Sequence, residues 1–330
     1  MMSMSLSSTL SRLRSGSIFP PVELVYSSHP SWPRHPSNQI THQRPLRIAV
    51  LDSSFNPPTL AHLAIANAPR PAFGDDDHVD YDAKLLLLSV TNADKQIKPT
   101  DATYVQRIEM MREFAAEVVT RPPTSSSPSP PSSPEAGNVA VAIIDEPTFV
   151  GKSRLLQSFL RERMKHFVDA ENGDSQLFNP CELTCLLGYD TLERFFAPRY
   201  YAKDPNSDAK VQMHTALRGF FSPPPEGDGS KIVCARRSPE SYPKSVVPAD
   251  TSDSFTSTIN QFFDDLAVPM SNCVKMIDIG EDAWAISSSD VRRAVGRKDD
   301  QWTSMVSPRV REYIQKQGLY QEDSKVQNNL

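Results

Sequence analysis

Short apolar runs without a polar face, separated by stretches of helical spacing, constrain this chain more than any other feature. The runs Arg47–Leu51, Lys84–Val90, Asn138–Ile144, Leu183–Leu187, Ile232–Cys234 and Val274–Ile279 read as strands. A strand with one face in water alternates apolar and polar residues; these do not, so both of their faces are expected to be covered. Between them, Ala102–Val119 carries Val105, Ile108, Met111, Phe114, Ala115 and Val118 at helical spacing. Thr59–Ala68, Ser153–Phe167, a short segment after Gly188, Ser289–Val295 and Ser307–Gln315 also read as helices. Strands alternating with helices predict an α/β fold, a Rossmann-like parallel sheet with helices on both faces. Ligands of such sheets sit at the carboxyl ends of strands, where the strand order reverses. Chemistry is therefore expected in the loops after Leu51, Val90, Ile144, Leu187 and Ile279.

Composition marks the boundaries. The 330 residues include 29 prolines against 12 glycines, and the prolines cluster with serine in stretches that cannot pack. Residues 1–43 are rich in Ser, Pro and Arg, with no acid before Glu23. They are expected to form a disordered tail, a mitochondrial presequence being the lesser alternative. One domain is expected over 44–320, interrupted by a low-complexity loop at 121–137 (RPPTSSSPSPPSSPEAG), a candidate protein-docking segment; 321–330 is a polar tail. A net charge of -5 argues against nucleic acid and anionic membrane as partners. The longest apolar stretches, such as Leu85–Val90, are too short to span a bilayer. Cys181, Cys185, Cys234 and Cys273 lack zinc-site spacing and read as reduced core thiols. By exclusion, the expected location is the cytoplasm, with the nucleus also open.

Two segments carry chemistry. The first, Asp52-Ser-Ser-Phe-Asn-Pro-Pro-Thr-Leu-Ala-His62, joins the first strand to a helix. Thr59 and His62 lie three residues apart on one face of the first turn. A helix start attracts anions through unpaired N–H groups and a partial positive charge, and a hydroxyl and an imidazole add donors. Read alone, Thr59 is equally an ordinary cap and His62 a structural histidine. The second segment is Ile286-Ser-Ser-Ser-Asp-Val-Arg292. Ser287 and Asp290 form a capping-box-like start, the small polar residues offer amides and hydroxyls to an oxyanion, and Arg292 lies one turn on. Read alone, this too is compatible with simple capping.

Together these segments resemble the signatures of the nicotinamide mononucleotide adenylyltransferase family, within the cytidylyltransferase-like nucleotidyltransferase superfamily. That family follows its first strand with Gly-(Ser/Thr)-Phe-(Asn/Asp)-Pro, then His or Thr, two residues, and His. Ser54-Phe-Asn-Pro-Pro-Thr-Leu-Ala-His62 follows this pattern, with Ser53 where the family has glycine. Residues 286–292 match the second signature, Ile-Ser-(Ser/Thr)-(Thr/Ser)-x-x-Arg. Val306–Ile314 and Gly318-Leu-Tyr320 look like the family's closing helix and Leu-Tyr ending.

The resemblance implies a divergent eukaryotic-type enzyme transferring an adenylyl group from ATP to nicotinamide mononucleotide, and by extension nicotinate mononucleotide, with release of pyrophosphate. It implies His62, Thr59 and Arg292 as catalytic residues. ATP would be bound by Ser53, Ser54, Phe55, Ser287, Ser288 and Ser289. The mononucleotide would be bound by Gly188, Asp190, Phe149, Trp284, Lys95 and Arg236, with Lys98 and Arg107 as looser matches. Mg²⁺ is expected to arrive with the ATP phosphates, since no acidic metal cluster is evident; Asp75–Asp77 lacks calcium-loop spacing. Phe149-Val-Gly-Lys-Ser153 is not a phosphate-binding P-loop, because position 146 is Glu rather than Gly. Two other readings stay open: transfer to another phosphorylated acceptor, and a nucleotide-binding protein with weak ATP hydrolysis and an interaction role.

Overall fold

The computed structural model describes residues 5–36, 44–74, 79–91, 100–119, 137–170, 181–202, 208–236 and 251–321. Lys95, Lys98, Asp75–Asp77, residues 121–136 and residues 322–330 lie outside them. Within the described residues, strands β1 (Val22–Ser27), β2 (Leu46–Asp52), β3 (Ala83–Ser89), β4 (Val139–Ile144), β5 (Cys181–Gly188), β6 (Lys231–Ala235) and β7 (Val274–Ile277) form one sheet. Its order is β1-β4-β3-β2-β5-β6-β7. All neighbours from β4 to β7 pair in parallel, and β1 is antiparallel to β4. The chain lays β2, β3 and β4 outward in one direction, then returns to the other side of β2 for β5, β6 and β7. The reversal falls between β2 and β5, so the crevice that such a sheet offers to ligands opens beside Asp52 and Gly188.

The apolar runs are explained by burial on both faces. Ala49 and Leu51 of β2, Leu86 and Leu88 of β3, and Val141 and Ile143 of β4 face one cluster. It includes α3 (Tyr104–Ala115), α9 (Ser288–Gly296) and α10 (Pro308–Gln317) through Ile108, Met111, Phe114, Val291, Val310 and Ile314. The alternate residues Ile48, Val50, Leu85, Leu87, Ala140 and Ala142 meet Leu156, Leu160 and Met164 of α4 (Phe149–Ala170). A third cluster fills the β5–β7 half with Phe195, Phe220, Phe221, Phe262 and Phe263 from α5 (Tyr189–Phe195), α6 (Ala209–Phe221) and α7 (Thr251–Leu266). Each buried Phe or Leu side chain is worth about 1.5–3 kcal/mol in transfer free energy, so the sheet is held mainly by these two covers.

Helix and strand lie upstream of the expected boundary at Arg44, which corrects the reading of a disordered tail for residues 5–36. Helix α1 (Leu6–Arg14) is capped by the Ser5 side chain and buries Leu10 and Leu13 in the first cluster. β1 extends the sheet beyond β4. Trp32 is fully buried, and its carbonyl accepts from Arg163 Nε at 2.6 Å. Asn138 Nδ2 donates to Pro33 O and to Asp82 O, both at 2.7 Å, tying the segment to the sheet edge. The prolines break helices but do not prevent an edge strand, where a missing N–H costs little. α6 and α7 lie beyond the expected elements, and α4 begins four residues earlier than its spacing suggests. Among the described residues no helix is long and apolar enough to cross a membrane.

Candidate active site

The loop between β2 and α2 (Leu60–Asn67) is the hub. Its histidine is fixed from both ring nitrogens. The Thr59 amide donates to His62 Nδ1 at 3.1 Å, and Thr59 Oγ1 lies 2.8 Å from the same nitrogen. A backbone amide can only donate, so Nδ1 is an acceptor and the ring proton sits on Nε2. Nε2 points to Ser53 Oγ at 2.9 Å. Burial pushes the His62 pKa down from 6.5 to about 4, so the ring is neutral near pH 7 and offers an N–H rather than a charge. The cap contact thus selects the tautomer with its proton on Nε2, so capping and donating are compatible readings of His62.

Ser53 adopts no positive φ, so serine fits where the resembled family has glycine, and its hydroxyl becomes a partner of the histidine. The bend is made two residues on, at Phe55, with φ 43. A non-glycine residue there costs roughly 1–3 kcal/mol and persists only when its surroundings hold it. Those surroundings are visible. Phe55 is completely buried, 5.4 Å from the His62 ring and 6.2 Å from Phe114. Ser54 O accepts from Arg107 at 3.4 Å. α2's leading amide, that of Leu60, is already taken by Met305 O at 2.9 Å. Anion-binding capacity on this side therefore lies in the loop and His62 more than in the helix's first N–H.

The second signature docks on the same loop. Ser287 caps α9, accepting from the Asp290 amide at 3.2 Å and donating to Asp290 Oδ2 at 2.6 Å. Ser288 Oγ donates to Pro57 O at 2.7 Å, and Arg292 donates to Asn56 O at 2.6 Å. Ser289 Oγ accepts from Arg292 at 3.3 Å. The hydroxyls of residues 287–289 thus have protein partners, and they serve to seat α9 and aim Arg292. Beneath them Asn56 is almost fully buried. It donates to Asp101 Oδ1 at 2.9 Å and accepts from the Ala102 amide at 3.1 Å and from Tyr320 at 2.9 Å. Asp101 lies 3.5 Å from Arg292 Nε and 3.8 Å from Arg107, so one carboxylate faces two guanidiniums. Asn56 stands in the first signature and Tyr320 in the Leu-Tyr ending, but no motif in the sequence marks Asp101.

Across the crevice, Gly188 caps α5 at φ -83, and a Cβ built on it would meet nothing within 4 Å. Its smallness is not required by backbone or packing and leaves the crevice mouth open. Asp190 follows in the first turn of α5, exposed. Phe149 opens α4, half-buried, with its ring edge-on to Phe195 at 6.0 Å. Lys152 reaches from α4 to Asp52 at the end of β2, 2.5 Å Nζ to Oδ2, with Nζ 4.9 Å from the Phe149 ring centre. Neither Asp52 nor Lys152 was expected at the site; the decoy motif around Lys152 was the available signal. Trp284 ends α8 (Glu281–Trp284), half-buried, its indole N–H without an acceptor. Arg236 is exposed past β6, and its amide donates to Ile277 O at 3.0 Å. No contact brings the Trp284 or Arg236 side chain to the loop.

No family model matches the chain. A Schizosaccharomyces pombe protein named "Putative nicotinamide mononucleotide adenylyltransferase" is 26% identical over 263 residues, spanning 79% of this chain and 80% of that protein. Among solved structures, the chain is similar to Plasmodium falciparum nicotinic acid mononucleotide adenylyltransferase complexed with APC. That similarity has a TM-score of 0.39 at 12% identity, over 83% of this chain and 96% of the other. The resemblance carried by the two signatures thus extends, through the yeast relative, over most of the chain.

Proposed function

We propose that this chain transfers the adenylyl group of ATP to nicotinamide mononucleotide, or to its nicotinate counterpart, giving the dinucleotide and pyrophosphate. The observation that carries the reading is the docking of two helix starts, separated by most of the chain, on one loop. Arg292 and Ser288 bond to the carbonyls of Asn56 and Pro57, and His62 and Thr59 close the other end of that loop. An imidazole that joins the two ends of a short loop and a guanidinium seated on its middle suit a run of linked phosphates.

In this reading an ionised oxygen of the acceptor's 5′-phosphate attacks the α-phosphorus of ATP. The new oxygen–phosphorus bond forms as the bond to the bridging oxygen of the pyrophosphate breaks. No protein nucleophile or base is required, and rate comes from alignment and from donors aimed at the transferring group. His62 exchanges Ser53 Oγ for a phosphate oxygen and donates its Nε2 proton as a hydrogen bond. Arg292 neutralises charge on the departing pyrophosphate. Phe149 supplies an aromatic surface for the pyridine ring, and Gly188 leaves room for the acceptor to approach. Among the described residues no group of three or more His, Cys, Asp or Glu is placed to hold a metal. Magnesium enters this proposal with the ATP phosphates, its other ligands being water.

The test is incubation of the purified chain with ATP, Mg²⁺ and nicotinamide mononucleotide. Dinucleotide and pyrophosphate in equal amounts are expected. ADP as the sole product would replace the proposal with ATP hydrolysis. Product formed only with a different phosphorylated acceptor would keep the reaction and change the substrate.

A further inference from the structure

The Asp52–Lys152 pair has no role in the reaction as written, yet it lies at the carboxyl end of β2, where the crevice opens. Asp52 ends β2 in register with Ile48 and Val50, whose side chains face the α4 side of the sheet. Lys152 lies three residues after Phe149 on α4 and bridges to Asp52 at 2.5 Å, both side chains 9% exposed. The ammonium thus sits against the Phe149 ring, 4.9 Å from its centre, with a carboxylate directly behind it. Burying two charges at the mouth of a ligand crevice is costly, and an apolar pair of similar volume would often serve the fold as well.

We infer that the Asp52–Lys152 pair sets the charge tolerance of the acceptor site, holding the surroundings of the pyridine ring near neutral so that carboxamide and carboxylate mononucleotides are both admitted. The inference rests on the reading of Phe149 as the pyridine platform. A ring stacked on the other face of Phe149 has its centre about 4.5–7 Å from it, and so about 9–12 Å from the ammonium. At the effective dielectric of a partly buried site, one uncompensated charge at that distance changes affinity for a carboxylate by about tenfold. Paired, the two charges cancel. Separated, they act with opposite signs, and a merely structural tether does not.

The experiment measures the affinities of the full chain for nicotinamide mononucleotide and nicotinate mononucleotide by titration calorimetry, and reads their ratio. Asp52→Asn leaves the ammonium uncompensated and shifts the ratio about tenfold toward the carboxylate ligand. Lys152→Met leaves the carboxylate and shifts it by a similar factor toward the carboxamide. The double substitution restores the wild-type ratio. Should Lys152→Met fail to fold with Asp52 buried and unpaired, Asp52→Asn and the double variant still decide the matter. Shifts of both single variants in the same direction, or an unmoved ratio, overturn the inference, as does a wild-type chain that binds neither mononucleotide. Opposed shifts in a chain that forms no dinucleotide leave the inference standing and remove the adenylyl-transfer reading instead.

Discussion

The Tyr320 hydroxyl donates to Asn56 Oδ1 at 2.9 Å, linking positions 264 residues apart. Asn56 also holds Asp101 and the Ala102 amide, and its carbonyl receives Arg292. One buried amide therefore joins both signatures and the Leu-Tyr ending. Tyr320 itself sits at φ 63, just after Gly318 closes α10 in the left-handed conformation at φ 59. Tyr320→Phe is expected to cost about 1–1.5 kcal/mol, the usual net worth of one such bond, leaving Asn56 with its other partners. Urea denaturation checks it. A loss of turnover several-fold beyond the unfolded fraction would show that the bond also holds the loop in register.

Replacement of His62 by alanine should lower turnover by about two orders of magnitude, the typical worth of one donor aimed at a transferring group. His62→Gln is the sharper variant. Glutamine is the residue that a capping box uses at this position, so the helix start is retained while the Nε2 donor is displaced. A folded His62→Gln chain with wild-type turnover would remove the histidine from the chemistry.

Stability is expected to fall with pH below about 6.5. His62 in the fold has its pKa depressed to about 4, so between these values the unfolded chain binds a proton that the folded one refuses. Stability contributed this way is complete above the unfolded value and is lost as pH drops toward the folded one, by up to about 3 kcal/mol. His62→Gln should flatten that segment of the pH–stability curve, measured by urea midpoints from pH 7.5 to 4.5.

Arg292→Lys preserves charge but not the fork that reaches Asn56 O and Ser289 Oγ at once. A drop of roughly a hundredfold in kcat/KM for ATP is expected, with a change in unfolding free energy under about 1 kcal/mol, because the side chain is only partly buried. Equal losses toward ATP and the mononucleotide would argue against a role on the pyrophosphate side.

Trp32→Ala should destabilise the chain by about 3–5 kcal/mol, the range for emptying a fully buried large aromatic site. A chain started at residue 44 should aggregate, since β4 would lose its antiparallel neighbour and expose its edge. Soluble, monomeric expression of that shortened chain would contradict the place of residues 5–36 in the fold.

The inner strands were legible because burial on both faces leaves an unbroken apolar run, as in Leu85–Leu88. β1 was not, because an antiparallel edge strand buries only Val22 fully and admits Glu23. Helical spacing does mark α1 through Leu6, Leu10 and Leu13, and α6 through Met213, Leu217, Phe220 and Phe221. Proline-rich neighbours outweigh it in a reading by composition. At the site, the residues of both signatures meet on one loop, whereas Asp101, Asp52 and Lys152 join it only through distances that no spacing in the sequence encodes.

The seating of α9 on residues 56 and 57 has a consequence for how this chain comes into being. During synthesis the first loop emerges early, before the partners that seat it have been made. Its partner helix and Tyr320 follow only after some 230 further residues have been added. The loop's final arrangement should therefore arise late and all at once, and the activity proposed for it only after the last helices have arrived.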